Sequence, residues 1–161
     1  MLAAMMIALQ VTTTALPGVQ ITGVMIATVT LVYRKRALIL IYVYVLLYFL
    51  YFPTLWSVPY VYIWLPLWCA FMIAARLERR LPKAAMVVLC MILCALHGLS
   101  FGVFYAPFQA AIMGWNFDKT MLWIKAGLPF DFAHAVNNFA MGALIMPLSA
   151  LMRKLDKNSP A

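Results

Sequence analysis

Charge in this chain is confined to a few short clusters: residues 1–33, 37–75 and 84–117 carry no Asp, Glu, Lys or Arg at all. Uncharged runs of that length offer no solvated face, so they must lie in hydrocarbon or against one another. Composition agrees, with 67% apolar residues, 10% charged residues and a mean hydropathy of +0.98. Crossing a bilayer core takes ~20 residues as a helix, with every backbone group paired inside the segment. A chain of 161 residues therefore reads as an all-α integral membrane protein of one domain, 1–161, with six spans near 2–15, 19–33, 37–52, 60–75, 84–105 and 132–151. That leaves no room for a sizeable water-soluble domain.

The basic clusters orient those spans. "RKR" (34–36), "RLERRLPK" (76–83) and "RKLDKNSP" (153–160) hold three, four and three of the twelve Lys and Arg, and with six spans all three fall on one side. Short basic loops stay cytoplasmic, so both termini are expected inside, with 12–18, 52–60 and a long loop at 105–131 outside. The net charge of +8 needs no nucleic acid, because the clusters sit where anionic lipid of the inner leaflet would hold them. The apolar start lacks a basic n-region and a cleavage site, so it reads as a retained span rather than a signal peptide. Cys69, Cys90 and Cys94 lie inside expected helices and read as small apolar residues.

Several chemistries are excluded by what is missing. There is no G-x-x-x-x-G-K-[ST] loop for a nucleotide phosphate and no H-E-x-x-H or G-x-S-x-G hydrolase pattern. Uphill transport would then need an ion gradient or another subunit. Ion-coupled carriers place acids in the membrane, whereas Glu78 and Asp156 fall in basic segments and Asp118 and Asp131 in the expected outer region.

Against this background "AGLPFDFAHAVNNFA" (126–140) is unusually polar. Pro129 is expected to end a preceding helix, leaving Asp131 to cap the sixth span or sit in its first turn. Asp131, His134, Asn138 and Met141 then follow i, i+3, i+7, i+10 on one helical face, with Asn137 beside it. Such groups are costly against lipid and should point into the bundle or into a pocket; interhelical hydrogen bonding would satisfy them equally well.

The stretch "WIKAGLPFDFAHAVNNFAMGALIMPLSALMRKL" (123–155) resembles the end of the substrate-binding S component of energy-coupling factor (ECF) vitamin transporters. There a G-[IL]-P-[FW]-D-x-x-H-x-x-x-N pattern opens the last helix, and Gly127, Leu128, Pro129, Phe130, Asp131, His134 and Asn138 match it. Ala4 and Ala8 form an A-x-x-x-A pair in the first span, where that family packs on its membrane scaffold subunit. The resemblance implies a bacterial plasma-membrane protein that binds a vitamin, vitamin precursor or purine-like base from outside. Delivery would follow toppling onto a module of one scaffold subunit and two ATPases. No cofactor is implied, no activity as an enzyme, and no metal, since the His-containing N-terminal segment of the family's metal binders is absent.

The expected pocket lies between the outer halves of the later spans. Its candidates are Trp56, Tyr60, Tyr62, Trp64, His97, Gln109, Trp115, Asn116 and Trp123, joined by Asp131, His134, Asn137 and Asn138. Aromatic faces stack on flat heterocycles and amides or carboxylates orient them, although each Trp and Tyr also fits an interfacial belt and His97 a bond between helices. Asp131 suits a cationic or amide-rich ligand, while Lys119 and Lys125 would attract an anionic one. A second class of function is a small haem anchor holding iron between His97 and His134; a third is a small membrane scaffold or enzyme.

Overall fold

The computed structural model describes residues 1–13 and 21–158. Most of the outer loop expected at 12–18, the adjoining ends of the first two spans, and the last three residues lie outside them. The described residues form eight α-helices and no strand: α1 (Leu2–Thr13), α2 (Thr22–Tyr33), α3 (Ala37–Tyr51), α4 (Tyr60–Leu77), α5 (Lys83–Leu99), α6 (Phe101–Met113), α7 (Phe117–Gly142) and α8 (Ile145–Asn158). The all-helical class expected from the sequence is what the structure has.

The centre is α2. It is apolar all round rather than striped, as a helix enclosed by others must be, and every residue from Thr22 to Leu31 is buried. Its two interior threonines return their hydroxyls to their own helix, Thr28 to Val24 O and Thr30 to Ile26 O, both at 2.7 Å. Around it stand α4, α8 and α3, with α1 against α3. On α3 the buried residues Ala37, Ile41, Tyr44 and Val45 form one stripe, while Ile39, Leu46 and Leu50 on other faces are exposed apolar surface.

Length separates the helices into two groups. By length and composition the stretch Leu55–Leu77 (23 residues) and the α5–α6 unit Lys83–Met113 (31 residues) are able to cross a membrane, and α7 with α8 makes a third if that pair, bent by 50°, is one broken span. At 12, 12 and 15 residues, α1, α2 and α3 rise only ~18–22 Å at 1.5 Å per residue. Among the described residues, length and composition therefore identify two or three membrane-length units, where six spans were expected.

The second half also departs from expectation in its joints. The expected long loop at 105–131 is helical almost throughout. α6 follows α5 across a single break at Ser100 (φ −90°, ψ 0°) and stops at Gly114, whose φ of 61° is the left-handed conformation that terminates helices. α7 then starts on an Asn116 cap, whose side chain accepts from Lys119 N at 3.0 Å, and runs straight through Pro129. Asp131 is thus an interior residue of α7 and caps neither that helix nor a separate sixth span.

Two devices hold the ends together. At the basic end Glu78 on the turn after α4 receives Arg34 at 3.0 Å and Arg153 of α8 at 2.7 Å. Arg153 donates also to Leu31 O at 3.1 Å, so α2, α4 and α8 meet at one carboxylate. Arg34 turns the chain with φ 57°, rare for a residue with a side chain, and Trp68 donates to its carbonyl at 3.3 Å. Further along, α5 and α7 approach at glycines: a Cβ on Gly142 would lie 2.7 Å from Met91 Cα, and one on Gly98 3.0 Å from His134 O.

Candidate functional site

Where α4, α5, α6 and α7 converge, the packing leaves two adjoining chambers. The inner one, about 160 Å³, is walled by Trp64 of α4, His97 of α5, His134 and Asn138 of α7, and by Gln10, Thr22 and Tyr44 from the first three helices. The outer one, about 370 Å³, is walled mainly by rings, among them Tyr48, Phe52, Trp56, Tyr105, Trp123 and Phe130, and it contains Asp131. Tyr60, Phe101 and His134 line both and form the partition.

The rings brace one another. Trp64 stacks between Tyr60 (centroids 5.6 Å apart) and His97 (5.5 Å), and Tyr105 lies against Trp56 at 5.8 Å, Phe101 at 6.1 Å and Trp123 at 6.3 Å. Offset and tilted pairs at these separations are favourable, so each ring supports its neighbours. Tyr105 also donates its hydroxyl to Trp56 O at 2.7 Å, fixing the rim segment that carries Trp56.

The polar groups are placed by breaks and glycines. The interruption at Ser100 restarts the helical ladder, and the first N–H groups of a restarted helix have no partner of their own. Asp131 takes one of them: Gly102 N, two residues into α6, donates to both carboxylate oxygens at 3.2 Å. The carboxylate therefore sits at the positive end of α6, and only a glycine allows the approach, because a Cβ at Gly102 would collide with Asp131. Asn138 reaches Cys94 O at 3.3 Å over Gly98, where a Cβ would lie 2.7 Å from its amide nitrogen. His97 donates from Nε2 to Ile63 O at 3.0 Å. Thr22 donates to Gln10 Oε1. In the inner wall the indole N–H of Trp64 is buried without a hydrogen-bond partner, a donor with nothing to donate to.

Comparison with protein-family models, with curated proteins and with solved structures finds no match to this chain. Its chemistry has to be read from the chambers. His97 and Asn138 are committed to backbone carbonyls and Asp131 to a backbone N–H, so these groups tie helices together and shape a cavity.

Of the residues singled out from the sequence, Tyr60, Trp64, His97, His134 and Asn138 line the inner chamber, and Trp56, Tyr60, Trp123, Asp131 and His134 the outer one. The remainder stand apart. Gln109 is buried in α6 away from both chambers, Trp115 backs Trp123 at 6.2 Å, and Asn116 is the exposed cap of α7. Asn137 donates to Asn138 Oδ1 at 3.4 Å from beside the chamber, and Tyr62 is exposed with its hydroxyl on Phe104 O at 3.0 Å. Ala4 and Ala8 are exposed on α1, whose buried positions are Ala3, Met6 and Gln10. Sequence reasoning missed Gln10, Thr22, Tyr44, Tyr48, Phe101 and Tyr105. Signals for some were present: Gln10 is an amide inside an apolar helix, and Tyr44, Tyr48 and Phe52 recur every four residues on α3.

Proposed function

We propose that this chain is a membrane-embedded binder of a small solute, working as the S component of an ECF-type importer. The observation that carries the reading is convergence: Asp131, His134 and Asn138, the residues of 127–138 that resemble the family's pattern, all line one pair of adjoining chambers. A cavity walled by preorganised rings with a few polar groups is a binding site in its general physics, since little ordering is left for the ligand to impose.

In this reading the six passes are α1, α2, α3, α4, the broken α5–α6 and the bent α7–α8. The basic end faces the cytoplasm of a bacterial cell and the outer chamber opens to the outside. Ala4 and Ala8, exposed on a helix whose Gln10 reaches the inner chamber, form the contact with the scaffold subunit; two ATPase subunits complete the importer and supply the energy. Against a haem anchor stands the packing of α5 on α7, where Gly98 and Gly142 bring the two helices into near-backbone contact and leave no slot for a porphyrin between His97 and His134.

Native mass spectrometry of the protein purified in mild detergent tests this reading. A retained vitamin-sized or base-sized molecule at one per chain is the expected result, together with co-purification of a scaffold and an ATPase pair from cells that express all four. A retained haem, or a protein that carries no solute and brings down no ATPase, would overturn it.

A further inference from the structure

We infer that the solute carries a positive charge, seated in the outer chamber against Asp131 and enclosed by aromatic faces. The inference rests on the solute-binding reading above and extends it to the ligand's charge.

The first argument is electrostatic. Asp131 is 4% exposed, and what meets its carboxylate is a single backbone N–H, that of Gly102. Among the described residues no ion pair engages it, no Lys or Arg lines either chamber, and residues 14–20 contain neither. Lys119 and Lys125 are on the same helix but exposed, and they line neither chamber. His134, one turn along α7 and facing the same chamber, interacts with Asp131 electrostatically but not at ion-pair distance, and the remaining titratable groups of the chamber, Tyr48, Tyr60 and Tyr105, offer no positive charge. A carboxylate removed from water without a countercharge is strongly disfavoured; a cationic ligand supplies the countercharge, whereas an anionic one would meet no positive side chain.

The second argument is the wall. Tyr48, Tyr60, Phe101, Tyr105, Trp56 and Trp123 put ring systems around the same chamber, and the negative face of a ring attracts a desolvated cation. Either feature alone has a duller reading. Together they describe one kind of site, a carboxylate at the base of an aromatic box. The chamber's 370 Å³ admits a compact cation or a flat bicyclic one. The unpartnered indole N–H of Trp64 in the adjoining inner chamber calls for a hydrogen-bond acceptor elsewhere on the same solute.

A charge series of one ring system separates this inference from the reading beneath it. Isothermal titration calorimetry of the purified protein at pH 8 would compare 1-methylquinolinium, neutral quinoline and quinoline-4-carboxylate. The cation is expected to bind at least ~10-fold tighter than quinoline, the scale of a desolvated cation–π and carboxylate contact, and the carboxylate more weakly than either. Asp131→Asn, nearly isosteric, should remove the cation's advantage and leave quinoline unchanged; if that variant does not fold, the series on the unaltered protein still decides. Quinoline or the carboxylate binding as tightly as the cation would overturn the charge inference and leave a solute binder. Failure of all three probes to bind would overturn both.

Discussion

Two acids sit at opposite ends of this molecule, and their surroundings differ in kind. Glu78 is held by two arginines, at 3.0 and 2.7 Å, with 14% of its side chain exposed. Asp131 is the more buried of the two and has a backbone N–H but, among the described residues, no ion-pair partner. At the basic end Glu78 is neutralised and spent on joining α2, α4 and α8. The aromatic end is incomplete by one charge. A chain this poor in ionisable groups retains a buried acid only where something repays its desolvation; at Glu78 the repayment is structural, and at Asp131 we infer that a ligand supplies it.

The largest stability effect should come from breaking the finished end. Glu78→Ala leaves Arg34 and Arg153 without their shared partner and removes the tie between α4 and α8, while Arg153 keeps its bond to Leu31 O. Breaking a fully buried pair costs more than this and breaking an exposed one less; with the arginine side chains each 39% exposed, the expected loss is about 2 kcal/mol. The thermal midpoint in detergent would measure it, and the effect should shrink as salt is raised. A midpoint within error of the unaltered protein would mean that the two ends do not differ as described.

A smaller loss is expected at the aromatic end, and from packing rather than charge. Gly98→Ala would bring a Cβ within 3.0 Å of the His134 backbone, so α5 and α7 must part by a few tenths of an ångström. Overpacking of that kind costs ~1–3 kcal/mol, partly offset by the ~1 kcal/mol that alanine gains over glycine in a helix, for a net loss of about 1 kcal/mol. Binding of any solute should weaken with it, because Asn138 and His134 move. Gly127→Ala is the control on the same wall: nothing lies within 4 Å of that position, so stability should hold or rise slightly. Equal changes in the two variants would show that contact between α5 and α7 is not what sets the effect at Gly98.

Much of the molecule was legible in its residues, and the failures have physical causes. The helical class followed from long uncharged runs, and the grouping of the basic clusters from their spacing; Arg34, Glu78 and Arg153, drawn from three clusters far apart in the chain, do meet. The joint at Pro129 did not follow, because proline's cost is local while the course of α7 is settled by its packing on α5 and α6. Two signals in that region had been there to read: Gly114 as a helix stop and Asn116 as a cap. For the site, the 127–138 pattern located one wall. The opposite wall, Gln10 with Thr22 and Tyr44, depends on which helices become neighbours, and no local periodicity encodes that. Asp131 was identified for the right face and given the wrong partner, since the helix end it caps belongs to α6.

The smallest change in stability should follow from neutralising the unfinished end. Asp131→Asn keeps an acceptor oxygen for the Gly102 N–H and adds an amide of nearly the same shape, while removing a buried charge that has no ion-pair partner among the described residues. Loss of one charge-assisted bond and relief from desolvation oppose each other, so the unliganded protein should change by no more than ~0.5 kcal/mol, within the range of ordinary surface substitutions. The contrast with Glu78→Ala is then about fourfold, although Asp131 is the more buried of the two acids. Ligand linkage sharpens it further. Saturating 1-methylquinolinium at about 100 times its Kd should stabilise the unaltered protein by about 2.7 kcal/mol and the Asp131→Asn variant by much less. A variant that is badly destabilised without ligand would place Asp131 beside Glu78 as a fold-holding acid, and the difference between the two ends would be one of degree.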